Sequence, residues 1–160
     1  MSAFPAKILL ATDGSEDSTL AALAAVDLSN ETGAELHVVH VDEARPVYPP
    51  PTSGPPPPTP SKEELRRAAR KLLDQQVEKI KEAGGNIEEA HLEMGRPEEE
   101  ILRLSEEIIA GLIVVGNQGL GGRFSRMKRF LMGSVSESVT RYARCSVMVV
   151  RRDLYNRPST

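Results

Sequence analysis

The strongest constraint on this chain is the order of its segments: short apolar runs alternate with stretches that repeat apolar residues at helical spacing. The first run is Lys7-Ile8-Leu9-Leu10-Ala11-Thr12, which suits a strand covered on both faces of a parallel sheet. Asp13-Gly14-Ser15 follows with turn and capping residues. Leu20, Leu23, Ala24 and Leu28 then recur on one helix face, with Glu16 and Asp17 in the first turn and Gly33 at the end. Glu35 to Asp42 reads as a second strand. Ser61-Lys62-Glu63-Glu64 is a capping box that opens a helix carrying Leu65, Ala69, Leu72, Leu73, Val77 and Ile80, stopped by Gly84-Gly85. Ile87 to Met94 alternates Ala90, Leu92 and Met94 with His91 and Glu93, as an edge strand with one wet face does. Pro97 and Glu98 to Glu100 start a third helix, continued by Ile101, Leu104 and Ile108. Leu112 to Val115 and Val147 to Val150 are further buried strands, with a short helix over Ser134 to Ala143 between them.

Strands and helices in alternation predict an α/β fold, a parallel sheet with helices on both faces. Its crossovers should be right-handed. Ligands of such sheets bind beyond the carboxyl ends of the strands, where strand order reverses. The first and fourth strands are the expected switch pair. Their carboxyl ends are Thr12-Asp13-Gly14 and Gly116-Asn117-Gln118-Gly119.

Composition narrows the classes. The chain has 160 residues, 39% hydrophobic and 27% charged, which is ordinary for a globular domain. One domain is expected over residues 1–151, with 152–160 as a frayed polar tail. Nine of the twelve prolines lie between Pro46 and Pro60, so neither helix nor ladder can run through that stretch. Residues 43–60 are read as a stiff surface loop, the alternative being a ligand for a proline-recognising module. No apolar run is long enough to span a membrane, and no secretory signal is apparent. A single cysteine, Cys145, excludes an internal disulfide. A cytoplasmic setting fits these features. The net charge of −3 and 4% aromatic content argue against a nucleic-acid partner.

Residues 116 to 137, GNQGLGGRFSRMKRFLMGSVSE, carry five glycines between Gly116 and Gly133. Glycine lets backbone approach a ligand closely. Gly133-Ser134-Val135-Ser136 enters the short helix, where free amides and the dipole suit phosphate. Ser134 and Glu137 have the spacing of a second capping box. Arg123, Arg126, Lys128 and Arg129 make a local +4, without an acid among them. Glycine-rich turns and serine caps also serve geometry alone. Neither GxxxxGK followed by Ser or Thr, nor GxGxxG after a strand, is present.

Three blocks now stand in order: Ile8 to Ser15, Val114-Val115-Gly116-x-x-Gly119, and Gly133-Ser134-Val135 leading into Cys145 to Val150. Together they resemble the universal stress protein family. The resemblance covers about Lys7 to Arg151. It implies a five-stranded parallel sheet of order 3-2-1-4-5, adenine nucleotide alpha hydrolase-like, and a homodimer through the last strand. In one branch it implies ATP binding at Gly-x2-Gly-x9-Gly-Ser/Thr. Here thirteen residues separate Gly119 from Gly133, and Arg123 stands where that spacing requires glycine. A four-residue insertion within 120–128 accounts for both; its arginines can close over a triphosphate, or the loop can stay open without ligand.

By this resemblance Asp13, with Ala11 and Thr12 beside it, holds the ribose or adenine side. Val41 meets adenine through its backbone, and Val115 and Gly116 line base and ribose. Gly119, Gly133, Ser134, Val135 and Ser136 hold the phosphates; Arg123, from the longer loop and outside the family pattern, is a further candidate for ATP by its charge. Asp13 can also cap the first helix. The implied ligand is ATP, with or without Mg²⁺, bound by a dimeric stress regulator. No general base is tied to the phosphate segment apart from Gln118, so any hydrolysis is expected to be slow. The alternative is a dimeric interaction module that binds no nucleotide. No metal site is expected: His37 and His40 fall on opposite strand faces. His91 is expected at the surface, Cys145 as a small buried group, and Arg141 and Arg144 at the dipole of the last helix.

Overall fold

The computed structural model describes residues 4–43, 54–55, 58–118 and 133–152. Gly119, Arg123 and most of the proline loop lie outside them. Among the described residues nine elements run in the order β1 (Lys7–Ala11), α1 (Glu16–Thr32), β2 (Glu35–Asp42), α2 (Lys62–Glu82), β3 (Ile87–Met94), α3 (Pro97–Glu107), β4 (Leu112–Gly116), α4 (Ser134–Tyr142) and β5 (Ser146–Val150).

The strands form one parallel sheet of order β3-β2-β1-β4-β5, as the resemblance implies. The chain winds outward from β1 through β2 to β3, then crosses to β4 on the other side of β1. The order therefore reverses between β1 and β4, which pair through Ile8–Leu112, Leu9–Ile113 and Leu10–Val114. Alternation along β1 explains why its apolar run is unbroken. Ile8 and Leu10 pack into a core with Ala21, Ala25 and Val26 of α1 and Leu73 and Ile80 of α2. Leu9 points the other way, into a core with Ile101 and Leu104 of α3 and Val139 of α4.

Local chemistry sets the helix ends. Ser15 Oγ accepts from the Ser18 amide at 3.2 Å and caps α1. Gly33 closes that helix at φ 74°, a left-handed conformation that costs glycine little. At α2 the expected capping box is formed: the Glu64 amide donates to Ser61 Oγ and the Ser61 amide to Glu64 Oε2. The bonds from Ser61 hold the Glu64 carboxyl below its ordinary range. Pro97 sits at the first position of α3.

Two side-chain expectations change. His91 is not a surface residue: its side chain is 12% exposed and its ring stacks on His37 across β2 and β3. An edge strand can still be covered on one face, and alternation in sequence does not reveal the cover. Arg144 reaches Glu106 of α3 at 3.5 Å, while Arg141 stays in the last turn of α4. No helix among the described residues is long and apolar enough to cross a membrane.

Candidate functional site

The carboxyl ends of β1 and β4 lie side by side, and a strand-to-helix turn leaves each. After β1, the Ser15 amide donates to Asp13 Oδ1 at 2.9 Å. This local turn places half-buried Asp13 on the loop, and Ser15 rather than Asp13 is the N-cap of α1. Thr12 is 5% exposed. Its amide extends the ladder to the Val39 carbonyl, and its carbonyl accepts from His40 Nδ1 at 2.9 Å. Thr12 Oγ1 lies 3.4 Å from both Ser18 Oγ and Gln76 Oε1. These contacts commit its side chain to the interior.

After β4, Asn117 acts as a hub. Its amide donates to the Val150 carbonyl at 3.0 Å, tying the end of β5 to the loop. Its carbonyl accepts from the Gly133 amide at 2.8 Å and from Ser136 Oγ at 3.0 Å. Asn117 thus closes the base of the glycine segment, bringing both of its ends together. Asn117 Oδ1 is buried with no hydrogen-bond partner among the described residues, an arrangement that costs desolvation energy until a donor meets it.

The expected capping box at α4 is not formed. Gly133 is the N-cap, in extended conformation, and no side chain caps the helix. Ser134 is exposed one residue further on. Ser136 is 2% exposed, and its hydroxyl faces the carbonyls of Asn117 and Gly133, each at 3.0 Å. The first amides of α4 are therefore not satisfied by a side chain of their own helix start.

Two acids frame this region, and sequence reading gave only one a role in the site. Asp17, buried in the first turn of α1, accepts from the Gln118 amide through Oδ2 at 2.9 Å. Its Oδ1 accepts from Arg152 Nε and Nη2, both at 2.9 Å. Arg152 Nη1 also pairs with Glu16 at 2.9 Å. Arg152 is therefore anchored rather than part of a frayed tail. One buried carboxylate joins α1, the loop after β4 and the segment after β5. Nothing local could have revealed this, because Asp17 and Arg152 lie 135 positions apart.

Gly116 has a packing reason of its own. A Cβ there would meet the backbone carbon of Asp17 at 2.7 Å, so glycine is what lets β4 approach α1. Val115 is 3% exposed and packs into the α3–α4 core, leaving its backbone for the loop side. Ala11 and Val41 are half-buried at the ends of β1 and β2. Ala11, Thr12, Asp13, Val41, Val115, Gly116, Gly133, Ser134, Val135 and Ser136 all sit at this end of the sheet or at the start of α4. Gly119 and Arg123 lie outside the described residues.

Sheet order, switch point and glycine-flanked loop together match a known family. The universal stress protein family model matches residues 6–151. The chain belongs to the universal stress protein family. Among curated relatives, the universal stress protein YxiE of Bacillus subtilis is 35% identical over 150 residues, covering 91% of this chain and 98% of the relative. Among solved structures, a universal stress protein from Archaeoglobus fulgidus in complex with dAMP is 22% identical, with TM-score 0.62 and coverage of 90% of this chain and 96% of that one. An Arabidopsis thaliana family member with AMP bound is 23% identical, with TM-score 0.60 and 97% coverage of both chains.

Proposed function

We propose that this family member binds an adenine nucleotide, ATP by its resemblance to the family's ATP-binding branch, at the carboxyl ends of β1 and β4. The observation that carries this reading is the start of α4 at the switch point. It has a glycine N-cap and no side-chain cap, across from the Asp13 turn. Amides at a helix start donate to phosphate, and the helix dipole favours its charge. Asp13 would accept from ribose hydroxyls, with backbone of Val41, Val115 and Gly116 around the base. Gly133, Ser134 and Val135 would donate to phosphates, and Ser136 would hold the loop base while doing so. The dAMP and AMP complexes of the two related folds support the ligand class. The protein would act as a nucleotide-responsive regulator with at most slow hydrolysis, because the sequence from 116 to 137 offers no His and a single Gln, Gln118, to orient water. It would dimerise along β5, whose outer edge has no neighbouring strand among the described residues.

Calorimetric titration with ATP and Mg²⁺, beside AMP, tests the reading. Saturable binding is expected, weaker for AMP. No heat from either nucleotide at millimolar concentration would overturn it. Gly133→Val should abolish binding, because a Cβ at that position already lies 3.1 Å from the Asn117 carbonyl oxygen. Sedimentation should give a dimer.

A second reading, an interaction module without nucleotide, is favoured by Arg123 and by the longer spacing between Gly119 and Gly133. Purified protein free of excess absorbance near 260 nm, and silent towards both nucleotides, would support it.

A further inference from the structure

On the sheet face covered by α3, away from the switch point, two histidines and a carboxylate converge. His37 of β2 and Glu89 of β3 are register partners, and His91 follows Glu89 by two residues on the same face. His37 Nδ1 and His91 Nε2 are 3.2 Å apart. One ligand atom from each of His37, Glu89 and His91 can be chosen so that all lie within 4.8 Å of one another. We infer that His37, Glu89 and His91 form a binding site for a divalent transition-metal ion, with zinc the best fit to this ligand set.

The spacing is that of ligands on a shared ion. Two imidazole nitrogens on a tetrahedral zinc, each bonded at about 2.0–2.1 Å, stand roughly 3.3 Å apart. Two imidazoles and a carboxylate are a donor set that zinc accepts, leaving one position for water. Glu35 Oε2 lies 3.5 Å from His37 Nε2, so it can accept that N–H and leave the Nδ1 lone pair to the metal. Lys7 shares Glu35 from 3.8 Å and moderates its charge.

Burial holds the His91 imidazole below its ordinary range, against the pull of Glu89; the nearness of His37 lowers it further, and Glu93 and Glu107 raise it more weakly. Arg103 occupies Glu93 and Glu107, so Glu89 remains the nearest acid to His91 among these pairs.

This site is separate from the proposed nucleotide site. His37 lies four residues back from Val41, on the order of 13 Å along the strand. Either site can therefore fail alone.

Calorimetric titration of the full chain with Zn²⁺, paired with thermal melting, tests the proposal. One ion per chain should bind, and excess zinc should raise the melting temperature. His91→Gln and Glu89→Gln should each weaken binding by at least about tenfold, and Glu35→Gln by less. Cys145→Ser should change nothing, which separates this site from a lone thiol. Glu89 is 63% exposed, so its variant should fold even if the His91 variant does not. No zinc binding to the wild-type chain would overturn the proposal and leave the pair as a hydrogen-bonded stack. Affinity unchanged by both Glu89→Gln and His91→Gln would do the same.

Discussion

The two strand-to-helix turns at the switch point solve the same problem in opposite ways. The turn after β1 takes four residues, Thr12 to Ser15, and satisfies itself. Asp13 accepts from the Ser15 amide, and Ser15 caps α1. The turn after β4 runs from Asn117 to Gly133, and its helix has no side-chain cap. Its base is fixed from outside instead: by the Val150 carbonyl on Asn117, and by Asp17 on Gln118. A self-capped helix start has little left to offer a ligand. A helix start without a side-chain cap leaves its first amides to acceptors from outside the helix. On the proposed reading, the contrast puts the anion end of the site at α4 and the sugar end at Asp13.

Substitutions can break this contrast, and the largest effect should come from the support rather than from either turn. Gly116→Val pushes a branched side chain into the backbone of Asp17. It should cost roughly 3 kcal/mol of stability in urea unfolding. A cost near zero would show that β4 and α1 can separate freely. Next is Asp17→Ala, which removes the acceptor for the Gln118 amide and leaves Arg152 with Glu16 as its remaining carboxylate partner among the described residues. A loss of about 2 kcal/mol is expected, together with weaker nucleotide binding, because the loop base is released. Unchanged binding would mean that the loop is positioned by other contacts.

The smaller pair of effects tests the contrast most directly. Ser15→Ala should cost about 1 kcal/mol as the loss of an N-cap and leave ATP affinity nearly unchanged. Ser134→Ala should shift stability by less than about 0.5 kcal/mol, as an exposed position does, yet lower ATP affinity several-fold. Calorimetry and unfolding on both variants decide it. If Ser134→Ala destabilises as much as Ser15→Ala, the two turns are alike after all.

Much of the architecture was legible in the sequence, because strand and helix leave periodic signatures. The unbroken run at Ile8 to Leu10, the capping box at Ser61 and the glycine stop at Gly33 are local signals, and the structure carries each of them out. The capping box at Ser134 has the right spacing but is not formed. Gly133, drawn in by the Asn117 carbonyl, takes the cap position, and a tertiary hydrogen bond outweighs a local pattern. Alternation alone puts His91 at the surface, whereas stacking against His37 depends on which strand lies beside β3.

By itself the sequence determined the succession of elements, the reversal point of the sheet and the glycine-flanked loop that marks the family. Those follow from spacing along the chain, which local sterics and hydrophobic periodicity translate directly. Only the tertiary structure decided which groups meet across it. Asp17 meets Arg152 and Gln118, Asn117 joins three elements, and His37 stands beside His91 and Glu89. The physical reason is that parallel pairing joins strands through long crossovers. Contacts between residues far apart in sequence carry no period, so they exist only once the sheet has set its register.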